Sequence, residues 1–396
     1  MDFELDEEQQ AVRELARGIL EKEVDHERLK QLEAAGEDFD RELWATLARA
    51  GLLGLAIPEE HGGMGYGLVE LCVLAQELGR VVAPVPALAT LAMGATAISS
   101  FGSNEQKKKW LPRICAGKAV VAVAMARGAW TREGRAPLTA TPDPNGGWTL
   151  SGEVSLVQAA GISDLILVPA CLAGGNESGG NESGGNESGG SAALFLVDPA
   201  CRGLQLTGAR SATGERLYTV SLDSVTVADQ DLLGGLQSRA FDRTRDCGLA
   251  VSCALQTGVS EKAVEMTAAY VSERQQFGRP IGSFQAVHHR MADCYVDLES
   301  MRWTAWRAAW LLAEGRDAAR ELMVARHWSA EGGARIASAT QHLHAGMGVD
   351  TDYPLYRYFL NSKALELGTG SAAAQLAALG RSLADEATGN ERQEKA

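Results

Sequence analysis

The chain has no excess of positive charge, no paired cysteines and no long apolar run, and each absence removes a class of function. Its formal net charge is −14, whereas general nucleic-acid binding requires a basic face. The 7 cysteines are scattered, without CxxC pairs or histidines at metal-ligand spacing. No structural metal is therefore expected, and the thiols read as reduced. No apolar stretch reaches the roughly 20 residues that a membrane helix needs. The opening MDFELDEEQQ is acidic rather than signal-like, so a cytoplasmic protein without membrane partners is expected. HExxH and GxSxG are missing, which leaves metalloprotease and hydrolase readings unsupported.

What remains is an ordinary globular composition. The 396 residues are 45% hydrophobic and 22% charged, enough for two or three domains with a large core. Apolar positions recur at three and four in EEQQAVRELARGIL and RELWATLARAGLLGL, predicting helices over roughly the first 117 residues. The interruption IPEEHGGMGYG is rich in turn residues but lacks the Lys-Ser/Thr ending of a phosphate loop, so it reads as a structural turn. Residues 118–235 carry short β-rich runs, among them VVAVAMA, DLILVPA and ALFLVD, bounded by Gly, Pro, Asn and Asp. They predict an antiparallel barrel or sandwich. Within it, residues 174–191 contain three copies of GGNES, which cannot bury apolar surface and read as a flexible loop. Residues 236–396 return to helical patterning, including a Trp303, Trp306, Trp310 stripe that suits the core of a bundle. His288 and His289 open the second long helix of this region, one of them expected to face the core. The fold class predicted is α+β: a helical domain, a β domain and a C-terminal four-helix bundle.

The stretch ERQQFGRPIGSFQAVHHRMADCYVDLE, Glu273 to Glu299, is hard to explain by packing alone. Arg274, Phe277 and Gln285 stand around a Gly-Arg-Pro-Ile-Gly break between two helical patterns. A guanidinium fork suits bidentate phosphate contacts and an aromatic face suits stacking on a base. These residue types together point to one ligand carrying both groups. The alternative for Arg274 is a surface ion pair of little energetic consequence.

The stretch closely resembles the C-terminal domain of the acyl-CoA dehydrogenases. The order helical–β–helical, the opening LWATLARAGLLGLAIPEEHGGMGYG with ELGRVVAPVP, and the later QHLHAGMGVDTDYPLYRYF resemble that family over nearly the whole chain. The resemblance implies an FAD cofactor, an acyl-CoA substrate dehydrogenated between its α and β carbons, and electron transfer to an electron-transfer flavoprotein. It implies that Arg274 and Phe277 reach the FAD of a neighbouring subunit. It sets His342 at a position where most members carry a cofactor-contacting Gln, with His344 as a further possible donor. It brings Gly346, and with it Gly348, close to the pyrophosphate.

Two family signatures are absent. The catalytic Glu position falls on Thr369, and an alternative base position falls on Gly248; neither side chain is a base. Glu366 and Asp246 are nearby carboxylates that read as structural. In the β domain, AMARGAWTREGR and Ser155 to Gln158 stand where the family normally shapes its flavin cradle. The chain thus resembles the base-less subunit of bacterial α2β2 acyl-CoA dehydrogenases of lipid or sterol degradation, which implies a second dehydrogenase-like subunit. Competing expectations are a non-catalytic structural subunit and a same-fold flavin monooxygenase or oxidase.

Overall fold

A computed structural model describes residues 4–125, 136, 138–173, 192–236 and 238–393. The GGNES repeats and residues 126–135 of the AMARGAWTREGR segment lie outside the described residues. In chain order, helices α1 (Glu7–Glu23), α2 (His26–Ala35), α3 (Arg41–Arg49), α4 (Leu68–Arg80), α5 (Thr96–Phe101) and α6 (Asn104–Cys115) come first. Strands β1 (Val121–Val123), β2 (Leu138–Pro142), β3 (Trp148–Gln158), β4 (Leu165–Leu172), β5 (Ala192–Val197), β6 (Leu204–Arg210), β7 (Arg216–Val227) and β8 (Leu232–Leu233) follow. After α7 (Ala240–Glu273), a hairpin of β9 (Gln275–Gln276) and β10 (Arg279–Pro280) leads to α8 (Gln285–Ala313), α9 (Ala319–His344), α10 (Leu355–Thr369) and α11 (Ala372–Gln393). The helix starts obey sequence chemistry. Asp6 and Ser103 each form a capping box with the Gln three residues on, satisfying amides that α1 and α6 would otherwise leave bare.

The chain divides into two compact units. One comprises Ala35–Gly67 and Pro84–Gly248 and contains the sheet, in the order β6-β7-β3-β2-β4-β5-β8 with β1 paired to β4. Leu150, Val157, Ile166, Val168, Phe195 and Val220 form its core. β4 and β5 read as unbroken apolar runs because their residues are buried with almost no alternation, as in strands covered on both faces. The sheet is mixed, which corrects the antiparallel expectation. β1 runs parallel to β4 at Leu165–Leu167 and β2 parallel to it at Ala170–Leu172, both on one edge. Short apolar runs between turn residues reveal that a strand exists, not which way it runs.

The other unit comprises Met1–Ala34, Leu68–Ala83 and Leu249–Ala396. α4 and α7 cross here with backbone against backbone. A Cβ on Gly258 would lie 1.9 Å from the Gln76 carbonyl oxygen, and one on Gly79 2.2 Å from that of Leu255. Beside the crossing, buried Arg80 reaches Glu265 at 2.6 Å and Glu261 at 3.0 Å on α7, and buried Glu77 takes Arg17 of α1 at 2.8 Å. Removing one partner from such a cluster strands a buried charge. The tryptophan stripe is not core: Trp303 is 40% exposed, and Trp306 and Trp310 are half-buried. The buried face of α8 belongs to Met301, Ala305, Ala308 and Leu312. The three-and-four spacing shows that residues share a face, and small alanines win the inner one where helices approach closely. His288 and His289 are both exposed, so neither supplies the core contact expected of one of them.

The crossing leaves no space for a methyl group, so Gly258→Ala is expected to destabilise the chain by about 3 kcal/mol. Denaturant unfolding checks it, and a loss below roughly 0.5 kcal/mol, the range of an ordinary surface change, would show that the helices can part at little cost.

Candidate functional site

α7 ends at Glu273, and the Arg274 amide donates to the Tyr270 carbonyl at 2.8 Å. The chain then folds into the β9–β10 hairpin, with Arg279 opposite Gln276 and Pro280 opposite Gln275. The Ile281 amide closes it by donating to the Arg274 carbonyl at 2.8 Å. The two loop residues, Phe277 and Gly278, have φ of 54° and 78°. Positive φ at both central positions is the type I′ pattern, which favours Asn and Gly. An aromatic residue there carries roughly 1–3 kcal/mol of backbone strain, and Phe277 is 92% exposed. Its ring makes a T-shaped contact with Phe284, centroids 6.1 Å apart, while the Arg279 guanidinium lies 4.1 Å over Phe284. Arg274, just before the hairpin, and Gln285, the first residue of α8, are both exposed. Neither burial nor local conformation within the chain rewards a phenylalanine at 277.

The second predicted segment follows α9. His342 is exposed in the last helical turn. His344 is 1% exposed, so it is not a ligand donor as the sequence allowed. Its Nδ1 faces the Thr340 carbonyl at 2.9 Å and its Nε2 the Tyr353 hydroxyl at 3.2 Å. Its ring stacks on Tyr270 at 4.2 Å and 19°. A carbonyl only accepts, so Nδ1 carries the hydrogen and Nε2 accepts from Tyr353. Ala345 then adopts φ 52°, ψ −132°, a glycine-type turn conformation costing an alanine roughly 1–3 kcal/mol. The two glycines differ. A Cβ on Gly348 would lie 2.8 Å from the Gln341 carbonyl, whereas one on Gly346 would meet nothing within 4 Å. The chain's own packing explains Gly348 but not Gly346, which leaves an open face of backbone beside exposed Met347 and Val349.

Tyr270 is the joint between the two segments, since it bonds Arg274 through its backbone and His344 through its ring. Linear sequence gives no sign of it. Arg279 carries the same Arg-and-aromatic signal as Arg274, with its guanidinium 4.1 Å over the Phe284 ring.

The two carboxylates near positions 369 and 248, Glu366 and Asp246, are paired with basic side chains. Glu366 accepts from Lys363 at 2.7 Å, and Asp246 from Arg245 at 3.0 Å. In β3 the pairing with β7 slips between Val154 and Val157. That slip turns Leu156 outward at φ 61° and 50% exposure. Gln158 donates to Glu215 at 2.7 Å. Among the described residues no group of three or more His, Cys, Asp or Glu is placed to hold a metal ion, and no helix is long and apolar enough to cross a membrane.

An exposed arginine and an exposed aromatic thus follow Tyr270, whose ring stacks on the His344 that precedes the glycine loop. The comparisons make the class specific. The acyl-CoA dehydrogenase N-terminal domain matches residues 6–118 and the C-terminal domain residues 241–384. The acyl-CoA dehydrogenase FadE27 of Mycobacterium tuberculosis is 35% identical, over 97% of this chain and 99% of that protein. Among solved structures, a Tcur3481-Tcur3483 steroid ACAD variant is 37% identical with a TM-score of 0.86, over 96% of this chain and 99% of that one. The ChsE4-ChsE5 complex from Mycobacterium tuberculosis is 34% identical with a TM-score of 0.86, over 97% and 99%. The chain belongs to the acyl-CoA dehydrogenase family. With that, the α+β fold class and FAD as cofactor stand as the resemblance implied, and the activity class is oxidoreductase activity on acyl-CoA.

Two outcomes follow from the strained and buried groups. Phe277→Asn is expected to stabilise the isolated chain by about 1 kcal/mol, because Asn suits the turn; a measured loss of stability contradicts the turn assignment. Burial holds the His344 imidazole below the ordinary histidine range, against the opposing pull of the Thr340 carbonyl. A folded pKa below the unfolded value, near 6.5, means that the unfolded state takes up the proton first. This group's stabilisation is present above about pH 6.5 and lost as pH falls from there toward the folded value. The unfolding midpoint should therefore drop between about pH 7 and pH 5, and His344→Gln should reduce the drop. An unchanged slope would contradict a neutral, buried imidazole.

Proposed function

We propose that this chain is one of two dehydrogenase-like subunits that together build an acyl-CoA dehydrogenase site, with the FAD cradle and the catalytic carboxylate on the other chain. The observation that carries this reading is Phe277, strained and 92% exposed on a turn it does not suit unless something outside the chain meets its ring. Gly346 supports it, since among the described residues nothing lies within 4 Å of where its Cβ would be. The arm residues thus fit a cofactor held by a neighbour.

In this reading the Arg274 guanidinium grips the cofactor's phosphate side in a bidentate fork. Phe277 covers an aromatic face, Gln285 and His342 donate or accept at the rim, and Gly346 lets backbone approach the pyrophosphate. When bound, FAD supplies the hydride acceptor for oxidation at the substrate β-carbon. Removing the α-proton needs a positioned base. Thr369 and Gly248 cannot serve, and the Lys363 and Arg245 partners tie Glu366 and Asp246 into ion pairs. The partner chain supplies the base, and electrons leave to an electron-transfer flavoprotein. Similarity to a steroid ACAD and to a two-protein complex, as those structures are titled, supports a heterotetramer acting on sterol or other lipid acyl-CoA.

Absorbance spectra test this directly. The chain purified alone should be colourless and the co-expressed complex yellow, with the flavin bleached by acyl-CoA. Arg274→Ala in the complex should lower FAD retention tenfold or more, and Arg274→Lys should lower it less. A yellow single chain that passes electrons from acyl-CoA contradicts the proposal. Unchanged flavin content on Arg274→Ala points instead to a purely structural subunit.

A further inference from the structure

We infer that His344 is a positioning residue: with Tyr270 and Tyr353 it clamps Ala345 in a glycine-type conformation and so fixes the open Gly346 face relative to the Arg274–Phe277 turn. The inference rests on the reading of Gly346 and the turn as cofactor arm, and adds the device that holds the two together.

Ala345 is exposed, so its methyl gains no packing that offsets φ 52°. The conformation has to be imposed from its two sides. Downstream, Gly348 is buried, and its Cα sits so close to Gln341 that a methyl there would lie 2.8 Å from the Gln341 carbonyl. Upstream, the imidazole of His344 is fixed in three directions. Tyr270 stacks on one face at 4.2 Å, the Thr340 carbonyl accepts from Nδ1 at 2.9 Å, and the Tyr353 hydroxyl donates to Nε2 at 3.2 Å. Rotating the ring breaks both hydrogen bonds and the stack together. Tyr270 lies four residues before Arg274 on α7, and Tyr353 precedes α10. The clamp therefore spans α7, α9 and the segment entering α10.

Backbone held in a sparsely populated region by over-determined contacts is a recurrent feature of ligand clamps. Glycine at 345 would adopt the same turn without cost. If His344 acts by holding Ala345 in place, glycine at 345 makes the clamp dispensable. A histidine that merely fills space predicts no such rescue, because the hole it leaves is the same with either residue at 345.

The test is a double-mutant cycle in the FAD-loaded complex and in the isolated chain. His344→Phe preserves an aromatic ring and deletes both hydrogen bonds; it should raise the FAD dissociation constant about tenfold. Ala345→Gly alone should leave it within about twofold, and the double variant should return to within about threefold of the parent. Tyr353→Phe, which removes one hydroxyl, is the milder variant should His344→Phe fold poorly, and it should shift FAD binding in the same direction with the same rescue. Hydrogen exchange of the amides at 346–349 in the isolated chain, which needs no flavin, should quicken in His344→Phe and slow again in the double variant. Unchanged exchange in His344→Phe, or an absence of rescue by Ala345→Gly in exchange, overturns the clamp. If exchange shows the rescue while FAD retention ignores both His344→Phe and Arg274→Ala, the clamp holds the loop but the cofactor-arm reading of that loop fails.

Discussion

The stack of His344 on Tyr270 is the contact on which the candidate site depends. α7 and α9 are long helices whose ends carry separate pieces of chemistry, an arginine and phenylalanine turn on one and a glycine loop on the other. Helix packing along their lengths does not fix where such ends point. One ring pair, 4.2 Å apart and nearly parallel, ties them together, and the Tyr270 carbonyl also receives the first amide beyond α7. Further back, the zero-clearance crossing of α4 and α7 at Gly79 and Gly258, with the Arg80 ion cluster beside it, sets the line that α7 follows.

Among the described residues positive φ at a non-glycine residue occurs at Val82, Leu156, Ala159, Ser224, Phe277 and Ala345, and the last two lie in the candidate site. Phe277 and Ala345 both occupy positive-φ conformations on exposed turns. A protein selected only for its own stability has no use for either choice, since Asn or Gly at 277 and Gly at 345 are the unstrained solutions. Such residues persist where function uses them. In the interior, by contrast, glycine is placed where backbones touch, at 79, 258 and 348, and small residues fill the inner face of α8. The chain departs from local preference at the two exposed turns of the candidate site, as it also does at Val82, Leu156, Ala159 and Ser224.

Helices and strands were legible in the residues wherever periodicity was strong. The periodic face of α1, the apolar runs of β4 and β5 and the breaks around 273–285 all follow from composition at fixed spacing. Strand direction in the mixed sheet was not legible, because a short buried run looks alike in parallel and antiparallel pairing. The tryptophans at 303, 306 and 310 misled in the same manner, since shared phase does not say which side is inside. At the site, Arg274, Phe277, Gln285, His342 and Gly346 stand out in sequence because each is an unusual residue for its local context or marks a family motif. His344 was legible only as a histidine, and Tyr270 not at all. Their roles arise from a contact 74 residues apart in sequence, counted from 270 to 344, between two helices whose register no linear pattern encodes.

The division of labour between two chains is the central claim, and a structure of the FAD-loaded complex tests it most directly. The cradle and base should come from the partner chain, with the Phe277 ring of this chain against the cofactor and the Arg274 guanidinium on its phosphates. An FAD enclosed by this chain alone, with Phe277 still facing solvent, would contradict it.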